Sequence, residues 1–139
     1  MKVKLNHKHA RVPIRANPTD AGADLFSPTY KHLLRGESAF IDFGVAIELP
    51  ANTVGLLFPR SSLGGQGIRL RNAVGVIDEK YRGNLGMMVE NASGEAYTIE
   101  IGDKIAQLVI VPVLTPEIEV VDELCMVGDR RGGFGSSGR

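Results

Sequence analysis

A single cysteine, Cys125, stands in a chain of 139 residues. No internal disulfide can form, so packing must hold the fold together, as is expected of a protein kept in a reducing compartment. Net charge is missing too: 16 Lys and Arg balance 16 Asp and Glu. Wholesale binding to nucleic acid or to an anionic membrane needs a basic surface, so neither partner is expected. Long apolar runs are also absent. The longest, Ile105 to Leu114, is interrupted by Gln107 and Pro112 and falls well short of the roughly 20 residues that cross a bilayer. The opening MKVKLNHKHA has positive charge with no apolar stretch behind it, so a secretory signal is not expected and a cytoplasmic location is.

Helical periodicity is the next absence, since no segment keeps a 3.6-residue apolar repeat for three turns. What is plentiful is glycine, 17 of 139 or about 12% against a usual level of about 7%. Period-two alternation is the dominant pattern. Every odd position from Ala39 to Leu49 is apolar, and the pattern returns at Tyr97, Ile99 and Ile101 and again at Ile118, Val120 and Leu124 against Glu117, Glu119 and Glu123. Leu108 to Val113 is a continuous apolar run that suits a strand buried on both faces. Turn residues at short intervals between these segments predict an all-β sandwich, jelly roll or barrel. Residues 1–128 are expected to form this one domain. Residues 129–139, rich in Gly, Ser and Arg, cannot supply a core and are expected to be a mobile arm.

Several chemical readings fail on context. Gly133-Phe134-Gly135-Ser136-Ser137-Gly138 spells GxGxxG, but only Arg139 follows it, and a dinucleotide site needs a helix there. His7 and His9 alternate like two ligands on a strand face, yet no Cys/His cluster completes a zinc site. Ser61 and Ser62 have no histidine linked to them by any motif.

Three segments keep chemical interest. Pro59-Arg60-Ser61-Ser62-Leu63-Gly64 gathers a guanidinium, two hydroxyls and glycine backbone in one loop, an inventory suited to gripping phosphate oxygens. Asn72 to Gly83 sets Asp78 and Tyr81 in an apolar hairpin, where a carboxylate can serve as general base or merely cap a turn. The end of the chain offers Arg130, Arg131 and Phe134, a cationic and stacking set.

Taken together with AGADL at 21–25 and GDKIAQL at 102–108, the motifs PRSSLG, NAVGVIDEKYRG and GGFGSSG come in the order and spacing of the five motifs of trimeric dUTP diphosphatases. The chain resembles that family over nearly its whole length. The resemblance implies a distorted jelly roll of the β-clip type, a flexible C-terminal arm and a homotrimer with active sites at subunit interfaces. It also implies hydrolysis of dUTP to dUMP and pyrophosphate, with Asp78 activating the water that attacks the α-phosphorus. Uracil would be read by Asn72 and by backbone groups around Val76, and Tyr81 would pack under the deoxyribose. Arg60, Ser61, Ser62 and a neighbour's Gln107 would hold the phosphates. Mg²⁺ would assist, with Asp24 acting on it through water. Phe134 and Gly135 would cover the base, and Arg130 or Arg131 would reach the γ-phosphate. The related dCTP deaminases share the fold but need a glutamate three residues before the asparagine that ends the hairpin strand, and here that position is Met88. A non-catalytic trimeric binding protein on the same scaffold is the other alternative, and it leaves the joint presence of Arg60, Asp78, Tyr81 and Phe134 without a purpose.

Overall fold

The structure, a computed structural model, describes residues 1–125. Ten strands and one short helix follow in order: β1 (Lys2–Leu5), β2 (Gly22–Phe26), β3 (Lys31–Leu33), β4 (Ser38–Glu48), β5 (Thr53–Pro59), α1 (Ser61–Gly65), β6 (Ile68–Leu70), β7 (Gly75–Ile77), β8 (Asn84–Asn91), β9 (Tyr97–Ile99) and β10 (Lys104–Pro112). One sheet has the order β1-β4-β8-β6 and the other β2-β10-β5-β7, with β3 and β9 forming a separate pair. Every strand pair is antiparallel. This is the all-β architecture that the alternation predicts, in the jelly-roll-like form that the resemblance implies.

The core lies where the two sheets face each other. Ile41, Phe43, Val45 and Ile47 of β4 meet Leu57, Leu85, Val89, Ile105 and Leu108, all buried. Phe43 is wholly enclosed, and truncating such a side chain to alanine typically costs about 3–5 kcal/mol. The alternation in β4 is broken once. Gly44 adopts φ +63°, its N–H donates to Asp42 Oδ1 at 2.7 Å, and the register with β8 shifts between Asp42 and Ala46. A Cβ on Gly44 would run into His7, so glycine is needed both for the dihedral and for the passage of the N-terminal segment.

Three expectations need correction. Leu108 to Val113 is central in its sheet but not buried on both faces: Val109, Ile110 and Val111 are half-buried and Pro112 is exposed. The alternating residues near the end form no strand, and Ile118, Val120 and Leu124 are exposed. Alternation marks a face suited to burial, but a strand also needs a partner for its N–H and C=O groups, and none within the described residues flanks this segment. Finally, Asn72 to Gly83 is not a hairpin closed on itself. Its strand β7 pairs with β5 in the second sheet, whereas β6 and β8, on either side of it in sequence, pair with each other in the first.

No helix of the described residues is long and apolar enough to cross a membrane. His7 and His9 are exposed, with the His9 N–H donating to His7 Nδ1 at 3.1 Å. Among the described residues no group of three or more His, Cys, Asp or Glu could hold a metal ion.

Candidate active site

Strand register builds the first polar cluster. Asp24 of β2 lies opposite Gln107 of β10, which on its other side lies opposite Phe58 of β5. Chain that leaves β5 two residues later therefore emerges beside Asp24, carrying Arg60. Gly22 leaves the room this requires, because a Cβ there would sit 2.9 Å from Gln107 Oε1. Asp24 is a buried carboxylate, and both of its oxygens face cations: Lys104 Nζ is 2.9 Å from Oδ2 and Arg60 Nε is 3.2 Å from Oδ1. The Arg60 contact is close but its N–H is not aligned as a hydrogen bond, so charge rather than direction holds that guanidinium. Gln107 Nε2 approaches the same Oδ1 at 3.5 Å, so this glutamine stands beside Arg60 of its own chain and not only a neighbour's, as the resemblance implies, because β10 lies between β2 and β5 in one sheet. One carboxylate against two cations leaves the corner net positive. Ser61 and Ser62, exposed at the start of α1, add hydroxyl groups beside it; the segment from Pro59 is thus a strand end and a single helical turn rather than a plain loop.

The second cluster belongs to the excursion around β7. Ala73 takes φ +62°, and Asn72 Nδ2 donates to the Val74 carbonyl at 3.2 Å. Gly75 lets β7 close on β5, since a Cβ there would lie 3.1 Å from Leu57 Cβ. Val76 is exposed. Asp78 follows as an exposed carboxylate in a turn closed by the Tyr81 N–H donating to the Asp78 carbonyl at 3.0 Å. Glu79, half-buried, ties that turn to the β4–β5 connection by accepting the Asn52 N–H at 2.8 Å. The Tyr81 hydroxyl donates to the Asn84 carbonyl at 2.9 Å, which lays the ring against Gly83, where a Cβ would collide with it. Asn72, Gly75, Gly86 and Met87 line a concavity of about 390 Å³ together with Phe40.

Within one chain these clusters do not meet. Asp78 follows Ile77, which is paired with Gly55, while Asp24 stands at the level of Phe58 three strands away. Three strand spacings and four residues along β5 separate them by about 20 Å. Arg130, Arg131, Phe134 and Gly135 lie outside the described residues. Sequence reasoning missed Lys104 as a partner of Asp24, and Glu79 and Phe40 altogether. Lys104 lies inside a recognisable motif, but no spacing rule links it to a residue 80 positions earlier. The buried Asn91 is structural: its amide donates to the carbonyls of Leu33 and Glu95 at 3.0 and 2.8 Å. Met88, the position where a deaminase would need glutamate, presents a part-exposed thioether.

Comparison with known proteins identifies the family. The dUTPase family model matches residues 8–138. A deoxyuridine 5′-triphosphate nucleotidohydrolase of Clostridium tetani is 41% identical over 100% of this chain and 97% of its own length, and one from Alkaliphilus metalliredigens is 42% identical over 99% and 96%. A solved structure of the Staphylococcus bacteriophage 80alpha dUTPase with dUpNHpp superimposes with a TM-score of 0.92 at 37% identity, covering 99% of this chain and 97% of that one. The chain belongs to the dUTPase family.

Proposed function

We propose that the chain hydrolyses dUTP to dUMP and pyrophosphate at sites built between copies of itself. The observation that carries this reading is the pair of complementary clusters, one cationic and rich in donors, the other offering, on the single excursion around β7, a concavity at Asn72 and Gly75 and, three residues further along the chain, the exposed carboxylate of Asp78. Uracil enters the concavity, where Asn72 and the backbone around Val76 and Gly86 meet its polar edges. A wrong base leaves these groups unpaired. The deoxyribose rests on Tyr81, so a 2′-hydroxyl meets the ring and UTP is a poor substrate. Arg60, Ser61, Ser62 and Gln107 take the phosphates; Arg60 engages Asp24 through Nε, which leaves its terminal amines for the ligand. Asp78 accepts a proton from water as the water oxygen attacks the α-phosphorus. The bond to the bridging oxygen breaks, and pyrophosphate departs with the electron pair. A carboxylate used in this way contributes about 10² to 10⁴ in rate.

Mg²⁺ fits this arrangement as a passenger on the substrate. Among the described residues Asp24 is the carboxylate paired with the cations of the phosphate corner, and both its oxygens already face Lys104 and Arg60, so its hold on the ion runs through water. When bound, the ion neutralises phosphate charge and fixes the triphosphate's orientation.

Two features support assembly of several copies, which the likeness to trimeric dUTP diphosphatases makes a homotrimer. The phosphate corner and Asp78 of one chain stand too far apart to serve one α-phosphate, and the exposed Leu114, Ile118, Val120 and Leu124 need cover that the described residues do not supply. Residues 129–139 close over the bound nucleotide, Phe134 and Gly135 on the base and Arg130 or Arg131 on the γ-phosphate, excluding water as the lid orders. The deciding experiment is pyrophosphate release from dUTP, dTTP, dCTP and UTP, with and without Mg²⁺, alongside the mass in solution. Turnover selective for dUTP by a trimer supports the reading, and ammonia release from dCTP would replace it.

A further inference from the structure

Phe40 is an anomaly of the first sheet. Its neighbours on the inward side of β4, Ile41 and Phe43, are fully enclosed, yet Phe40 is 56% exposed on the outer face. It stands directly opposite Met88 of β8, and its ring fills the space above Gly86, where a Cβ would lie 2.9 Å from Phe40 Cε2 and closer still to Cζ. Any side chain at position 86 would displace that ring. A single exposed aromatic needs no explanation in itself, but this one lines the same concavity as Asn72, Gly75 and Gly86. Two of those are glycines presenting bare backbone and the third is an amide, and Arg71 adds a guanidinium to the same lining while Leu70, Met87 and Met88 add apolar surface. The pocket thus combines a few polar groups with an apolar wall, the composition that fixes a flat heteroaromatic ligand.

We infer that Phe40 is a specificity-determining residue for the reaction proposed above, forming the wall of the base pocket on its β4 side. The inference rests on the reading that uracil occupies this concavity. A pyrimidine directs its hydrogen-bonding groups in its own plane, where Asn72 and the glycine backbone serve them. The rest of its outline is apolar and gains from contact with an aromatic ring. Phe40 supplies that ring and also limits the width of the slot. Removing it weakens the hold on uracil and makes room for a 5-methyl group. No motif points to this residue, because it comes from a different strand, 32 positions before Asn72.

Phe40→Ala and the milder Phe40→Leu, in the full chain, test the idea beside Asn72→Ala. For Phe40→Ala the KM for dUTP rises about tenfold with kcat unchanged, and the ratio of kcat/KM for dTTP to that for dUTP rises about tenfold as well; Phe40→Leu moves both in the same direction by less. If Asn72→Ala raises KM while both Phe40 variants keep the parent's KM and selectivity, the inference about Phe40 falls and the base pocket stands. If Asn72→Ala also leaves KM unchanged, the base lies elsewhere and both fall. Loss of the oligomer in Phe40→Leu with a matching fall in kcat, the dTTP-to-dUTP selectivity of the remaining activity being unchanged, would assign the ring to a subunit contact and overturn the proposal. Should Phe40→Ala fail to fold, Phe40→Leu carries the test alone.

Discussion

Replacing Asp24 by asparagine keeps the shape of the side chain and removes its charge, leaving Lys104 and Arg60 facing each other across a buried amide. At an effective dielectric of about 20, opposite unit charges about 3 Å apart attract by about 5 kcal/mol. That gross value shrinks in two ways. Desolvating the buried carboxylate costs several kcal/mol, and the cations are only partly withdrawn from water, with side-chain exposures of 43% for Lys104 and 30% for Arg60. A net loss of about 1–3 kcal/mol remains for the two pairs together, which for a domain of this size lowers Tm by about 3–10 °C. Thermal unfolding should be compared at one protein concentration, since an oligomer's Tm depends on it. The same change frees Arg60, so the KM for dUTP rises as well. Adding Lys104→Met to Asp24→Asn removes the uncompensated cation and should recover part of the lost Tm, a non-additivity expected of residues in contact. A Tm within about 1 °C of the parent together with an unchanged KM would show that the ion pairs organise nothing.

Asp78→Asn should lower kcat by about 10² to 10⁴ while dUpNHpp still binds by calorimetry; normal turnover would remove Asp78 as the base. Glu79→Ala deprives the Asn52 N–H of its acceptor and loosens the turn that carries Asp78, so kcat should drop about 3- to 10-fold at constant KM, with Glu79→Gln retaining most of it. An equal loss in the alanine and glutamine variants would count against the tether. Tyr81→Ala should raise the kcat/KM ratio of UTP to dUTP by about tenfold, and an unmoved ratio would place 2′-hydroxyl rejection elsewhere. Removing residues 129–139 should slow hydrolysis at least about tenfold without lowering Tm; full activity after truncation would refute the lid.

The parts of the fold that were legible in the sequence are those where one physical rule acts alone. Ile41, Phe43, Val45 and Ile47 announce a strand because burial on one sheet face needs every second residue, and they are buried. At Gly44 a second rule intervenes, since the chain must bulge to let His7 pass, and strict alternation gives way to consecutive buried residues. From Glu117 to Leu124 the same alternation is present with no strand to show for it, because periodicity reports which face seeks burial and not whether a partner lies within reach. The site divides along similar lines. Motif residues such as Arg60, Asp78 and Tyr81 are readable locally, each within a short run with its own chemistry. The link from Lys104 to Asp24 arises only when β10 is laid beside β2 in one register, and a slip of one residue would turn Gln107 and Asp24 to opposite faces. That same register holds Asp24 and Asp78 of a single chain about 20 Å apart. If one nucleotide is to touch both clusters, the missing half must come from another copy, which makes the wild-type oligomer the smallest complete enzyme. Mixing an Asp78→Asn chain with an Arg60→Ala chain, each inactive alone, should therefore restore part of the activity in mixed oligomers, because some sites then draw an intact Asp78 from one chain and an intact Arg60 from the other. No recovery on subunit exchange would mean that each chain acts alone, and the distance would then need a large rearrangement to close.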